Sequence, residues 1–144
     1  MPYQKVLIAV DNSEMTAKVI EQGAKLSSRL DAMAGVVFVI DTSKVNKDSE
    51  SGSLPQDLIT KLKREADKRI DQLTQEFPDC AFEKFILEGK PSKEIVKVAS
   101  DWKADLIVMG TQGKTGLKRL LVGSTAENTL RSSNIPILIV PAKG

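Results

Sequence analysis

Apolar residues in this chain come in blocks. Five short apolar runs, at 6–10, 36–40, 82–87, 106–109 and 137–140, are separated by stretches in which apolar positions recur every three or four residues. Runs of that length, all but 82–87 free of polar residues, read as strands buried on both faces, and the intervening period reads as helices. The pattern therefore predicts an α/β domain built on a parallel sheet. The first helix is expected over 13–30, with Asn12 or Ser13 as N-cap and Ala17, Ile20 and Ala24 on one face. The second is the clearest: Ile59, Leu62, Ala66, Ile70, Leu73 and Phe77 share a face, with Pro55 near the first turn and Pro78 past the end. A third begins near Pro91 or Ser92 and buries Ile95, Val98 or Ala99, and Trp102, which reads as a core residue at the helix end. A fourth starts at about Ser124, carries Asn128, Thr129 and Leu130, and stops before Asn134-Ile135-Pro136.

At 144 residues, with no internal repeat, the chain reads as a single domain over 1–144, large enough to bury a core without disulfides or a structural metal. One segment, 42–54, is too rich in Ser, Lys, Asn, Asp and Gly to pack, and reads either as a flexible connection or as a mobile lid. Its position matters. Open parallel sheets bind ligands over the carboxyl ends of their strands, where the strand order reverses. The loops expected there carry Asp11-Asn12-Ser13 after the first run, Asp41 and the polar segment after the second, and a glycine-rich stretch after the fourth.

That stretch carries the most specific chemistry in the sequence. Gly110, Gly113, Gly123 and Ser124 form Gly-x2-Gly-x9-Gly-Ser directly after the fourth run. Glycine lets backbone approach a ligand closely and adopt positive φ, and a Gly-Ser step opening a helix offers free N–H groups and the positive end of the helix dipole to an anion. A nucleotide is the first ligand to consider. Gly113-Lys114-Thr115 imitates the end of a P-loop, but Val108 stands where that motif needs its first glycine. Gly110, Gly113 and Gly116 also miss the Gly-x-Gly-x2-Gly rhythm of a dinucleotide fold. The residue-level alternative is a glycine-rich surface loop.

Composition narrows the chemistry further. With no histidine and a single cysteine, Cys80, a zinc site or a histidine-dependent triad is excluded within one chain, and Cys80 reads as a small residue near the start of a strand. A net charge of +2 with the two signs interspersed, and 4% aromatics, give no footprint for nucleic acid. The start of the chain shows no signal-peptide pattern and the longest aliphatic stretch, 36–40, is strand-sized, so the expected location is the cytoplasm.

Five fragments in order carry a resemblance across essentially the whole chain. They are Val6-Leu7-Ile8-Ala9-Val10-Asp11-Asn12-Ser13-Glu14, Val39-Ile40-Asp41, Met109-Gly110-Thr111-Gln112-Gly113-Lys114-Thr115-Gly116-Leu117, Leu121-Val122-Gly123-Ser124-Thr125-Ala126-Glu127, and Ile135-Pro136-Ile137-Leu138-Ile139-Val140. Together they resemble the universal stress proteins, and the glycine pattern resembles that of the ATP-binding subgroup. The resemblance implies a single-domain, open five-stranded parallel sheet of order 3-2-1-4-5 with helices on both faces, Rossmann-like or flavodoxin-like. It implies a stress-response regulator or sensor that binds ATP with Mg²⁺, the metal held mainly by the phosphates. AMP or a cyclic nucleotide fits the same cradle.

By the same resemblance, Ala9, Val10 and Asp11 border the nucleotide, with Asp11 accepting hydrogen bonds from ribose hydroxyls or, on its residue-level reading, capping the following helix. Direct phosphate contact is disfavoured for Asp11, since two anions repel unless a metal lies between them. Val39 would meet the adenine edge through its backbone, Met109 and Gly110 the base and ribose, and Gly113, Gly123, Ser124 and Thr125 the phosphates. Asp41 would border the ribose or end its strand, and Lys114, Lys118 and Arg119 would add charge or simply be solvated. Gln112 stands where many relatives carry histidine. The run Ile137–Val140 would be an edge strand pairing with a second copy in a homodimer, bounded by Pro136 and Pro141.

The competing class is an enzyme on the same scaffold, a slow ATPase or nucleotide hydrolase. An ATP pyrophosphatase would need Ser-Gly-Gly-x-Asp-Ser after the first strand, and a phosphoacceptor domain an aspartate after the third, where this chain has Asp11-Asn12-Ser13 and Glu88-Gly89. No catalytic residue is expected.

Overall fold

The computed structural model describes residues 3–43, 55–111 and 122–142. Its elements alternate: β1 (Lys5–Val10), α1 (Thr16–Leu30), β2 (Met33–Asp41), α2 (Gln56–Thr74), β3 (Phe82–Gly89), α3 (Pro91–Trp102), β4 (Leu106–Gly110), α4 (Ser124–Ser132) and β5 (Ile137–Val140). The five strands form one sheet in the order β3-β2-β1-β4-β5, every neighbouring pair parallel. The expected architecture and strand order are both present. Residues 44–54, the bulk of the polar segment, lie outside the described residues.

The central strand explains why the apolar runs lack alternation. Val6, Ile8 and Val10 of β1 point into the layer shared with α1 and α2, while Leu7 and Ala9 point into the layer shared with α3 and α4, so both faces are covered. Trp102 is half-buried rather than fully interior: it packs edge-on to Phe85 at 5.6 Å, and the Lys5 ammonium lies 5.1 Å from its ring centre. Cys80 packs against the first core, just before β3, and burial raises its thiol pKa above the ordinary value.

The first helix differs from expectation. It begins at Thr16, with Met15 at the N-cap and no side-chain cap, so neither Asn12 nor Ser13 holds that position. Those residues instead build a turn before the helix. The Ser13 Oγ accepts from the Met15 N–H at 3.2 Å, the Ser13 carbonyl accepts from the Thr16 N–H at 3.3 Å, and the Thr16 hydroxyl donates to the Asp11 carbonyl. The buried face comprises Thr16, Val19, Ile20, Gly23, Ala24 and Ser27, and Ala17 is exposed. The second helix keeps its expected face, although Phe77 lies beyond its end.

Candidate functional site

The sheet positions the site through the unequal lengths of its strands. Phe38 is the last residue of β2 paired with β1, opposite Val10, yet β2 continues to Asp41. Residues 39–41 still pair with β3, but among the described residues no strand lies on their β1 side. Here β2 leads away from β1 in one direction and β4 in the other, and a cavity of about 620 Å³ opens over the strand ends. That volume is ordinary for a small-molecule site.

Asp11 follows the end of β1 and is half-buried on the cavity wall beside Ala9 and Val10. Val39 is buried and contributes from β2. Asp41 also reaches the wall, and its carboxylate closes the strand-end turn by accepting from the Ser43 N–H at 3.0 Å and the Ser43 hydroxyl at 2.6 Å. Met109 and Gly110 line the cavity from β4, and Gly123, Ser124 and Thr125 from the start of α4. Gly113, Gln112, Lys114, Lys118 and Arg119 lie outside the described residues.

Both described glycines of the motif work differently from the sequence reading. Neither has positive φ; among the described glycines only Gly89 does, at φ +141°. A Cβ on Gly110 would lie 3.1 Å from the Met15 Cε and 3.2 Å from a Val19 methyl, so this glycine gives room to α1. Gly123 is extended, φ −62° and ψ 159°, and its N–H is already engaged by the Thr111 carbonyl at 2.5 Å. The N–H groups open to an anion are accordingly those of the first helical turn, Ser124 to Ala126, which have no intrahelical acceptor and no side-chain cap.

Thr111 occupies a junction that the sequence did not mark. Besides accepting from Gly123, it donates its N–H to the Val140 carbonyl at 3.1 Å, and its hydroxyl oxygen accepts the Ala142 N–H at 3.2 Å. The cavity also reaches into the α1/α2 layer, where Met15, Val19, Leu58, Leu62, Glu65 and Arg69 border it. These are core-type positions and helix-flank charges in the sequence; only the strand order brings them to the site. Among the described residues no cluster of three Asp, Glu, Cys or His could hold a metal. No helix among them is long and apolar enough to cross a membrane.

A doubly wound sheet with its cavity at the switch point has the architecture of a small-molecule site. The profile of the Universal stress protein family matches residues 2–141, and the chain belongs to that family. Universal stress protein MJ0531 of Methanocaldococcus jannaschii is 35% identical, the alignment covering 96% of this chain and 82% of the relative. Universal stress protein MJ0577 of the same organism is 33% identical over 98% and 96%. The solved structure of MJ0577 superposes with a TM-score of 0.80, covering 100% of this chain and 99% of that one. A universal stress protein solved in complex with cAMP shares the fold at TM-score 0.67 and 24% identity, over 99% and 100% of the two chains.

Proposed function

We propose that this protein binds an adenine nucleotide, ATP with Mg²⁺, in the cavity over β1, β2 and β4, and acts as a stress-response regulator or sensor in the cytoplasm. The observation that carries the reading is the pairing, in one cavity of about 620 Å³, of an α4 N-terminus without a side-chain cap with a β2 edge that, among the described residues, has no strand beside it beyond Phe38. The helix start attracts phosphate through its N–H groups and dipole. The bare edge offers backbone donors and acceptors to a base near Val39. Asp11 stands between them at the end of β1, where a ribose would lie, and accepts hydroxyl hydrogen bonds. The phosphates themselves would supply the main ligands to Mg²⁺.

The same residues argue for binding over catalysis. Phosphoryl transfer needs an in-line nucleophile, a group to orient it, and charge stabilisation that grows in the transition state. A ground-state cradle supplies none of these, so turnover is expected below about 1 s⁻¹, the low end of ordinary enzyme rates. A homodimer through β5 completes the proposal, since Leu138 is 42% exposed on an apolar edge strand.

Mass spectrometry of the small molecule released from purified, denatured protein tests the ligand assignment. An adenine nucleotide near one per chain is the expected result. AMP or a cyclic nucleotide would keep the site and change the signal, whereas a chain that neither carries nor takes up any nucleotide would overturn the reading.

A further inference from the structure

The two ends of the glycine loop meet at Thr111, and so does the segment that leaves β5. The Gly123 N–H donates to the Thr111 carbonyl at 2.5 Å, which joins the end of β4 to the start of α4. On the opposite side the Thr111 N–H donates to the Val140 carbonyl at 3.1 Å, and its hydroxyl oxygen takes the Ala142 N–H at 3.2 Å. Lys18 of α1 donates to the Pro141 carbonyl at 2.6 Å, so residues 140–142 are held by both Thr111 and α1. Thr111 itself lines that cavity.

We infer that Thr111 is the positioning residue through which nucleotide occupancy fixes the C-terminal segment 140–142; the inference rests on the nucleotide reading above. A ligand can shift an equilibrium only by the difference in its affinity for the two states. Here that difference arises because a ligand spanning Gly110 and the α4 start favours the arrangement in which Thr111 and Gly123 are joined. The residue whose backbone carbonyl closes this arrangement is the one whose hydroxyl receives Ala142. Fixing Thr111 therefore lowers the opening of the Ala142 hydrogen bond, and by linkage a docked Ala142 raises nucleotide affinity by the same factor. The backbone bond to Val140 survives substitution at 111, so the hydroxyl oxygen alone carries the contact with Ala142.

The test combines hydrogen exchange at the Ala142 amide, followed by NMR, with ATP calorimetry on the full chain. ATP should slow Ala142 exchange by about fivefold, at the lower end of ordinary coupling. Thr111→Val, which keeps the shape and loses the acceptor, should remove that protection, and Thr111→Ser should restore it. Ala142→Pro, which removes the donor, should weaken ATP binding by up to the same factor, and combining it with Thr111→Val should weaken it no further. Binding of ATP with Ala142 exchange unchanged, or with Thr111→Val as strongly protected as the wild type, overturns this proposal alone. Failure of the wild type to bind any nucleotide overturns it together with the nucleotide reading.

Discussion

At Asp11 the chain leaves β1 and turns into α1, and the turn is held by bonds that do not depend on a side-chain cap at the helix start. The ribose role then predicts that Asp11→Ala weakens ATP binding by about 1–2 kcal/mol, the worth of hydrogen bonds to a charged acceptor. Calorimetry checks it, and a lower melting temperature with unchanged affinity would assign Asp11 to the turn instead. The places of Asp11, Ser124 and Thr125 on the cavity wall were legible because their position is local: they follow an apolar run or open a helix. The use of the Gly123 N–H was not legible, because its acceptor is the carbonyl of Thr111, on the far side of the loop. The same is true of Gly110 at the end of β4, whose neighbour Met15 stands at the start of α1, far away in the chain.

Elements were read best where one periodicity ruled without competition. The α2 face follows from spacing alone, and Pro55 marks its start, whereas the helix stops at Thr74, short of Pro78. The α1 start was misplaced because Asn12 and Ser13 form a turn instead of a cap, which moves the helix onset to Thr16. The ends of α1 and α3 fall where the sequence put them, at Leu30 and Trp102, without the usual stop signal. Asp31 and Lys103 take the left-handed conformation after α1 and α3, at φ 54° and 63°, where glycine is the usual signal. Conversely, Gly23 sits mid-helix at a cost in propensity because α1 lies close on β1. A Cβ there would stand 2.5 Å from two atoms of the fully buried Ile8. Gly23→Ala should therefore destabilise the protein, overpacking at about 1–3 kcal/mol outweighing the propensity gain of about 1 kcal/mol. Thermal unfolding reads the sign, and an unchanged or higher midpoint would contradict the close approach.

The whole molecule presents two very different sheet edges. β3 carries Glu83, Lys84 and Glu88, with Lys84 bonded to Asp67 and Asp71 of α2 at 2.6 and 2.7 Å, and those bonds raise its pKa. Charge of this kind discourages strand addition. β5 has only apolar residues, and the sheet order puts it at the opposite edge. If two copies pair there, Leu138→Arg should shift the wild-type dimer toward monomer in sedimentation, since a buried charge would lack a partner. Leu138 is exposed in the single chain, so folding should tolerate the arginine. A wild type that is monomeric at tens of micromolar, a scale set by ordinary specific affinities of about 1 µM or tighter, would contradict the pairing. The sheet order itself was legible through family resemblance, whereas the entry of α2 into the cavity emerged only from the assembled layers.

The central claim is that the α4 start, opened by Gly123, holds the phosphates of a bound nucleotide. Isothermal titration of the purified chain with Mg²⁺ and ATP tests it most directly, with Gly123→Val measured beside it. The extended backbone at position 123 accepts a valine, so the variant should fold while its branched side chain blocks the approach of phosphate. The account predicts saturable binding near one ATP per chain in the wild type and its loss in the folded variant. Equal ATP affinity in the two proteins would contradict it.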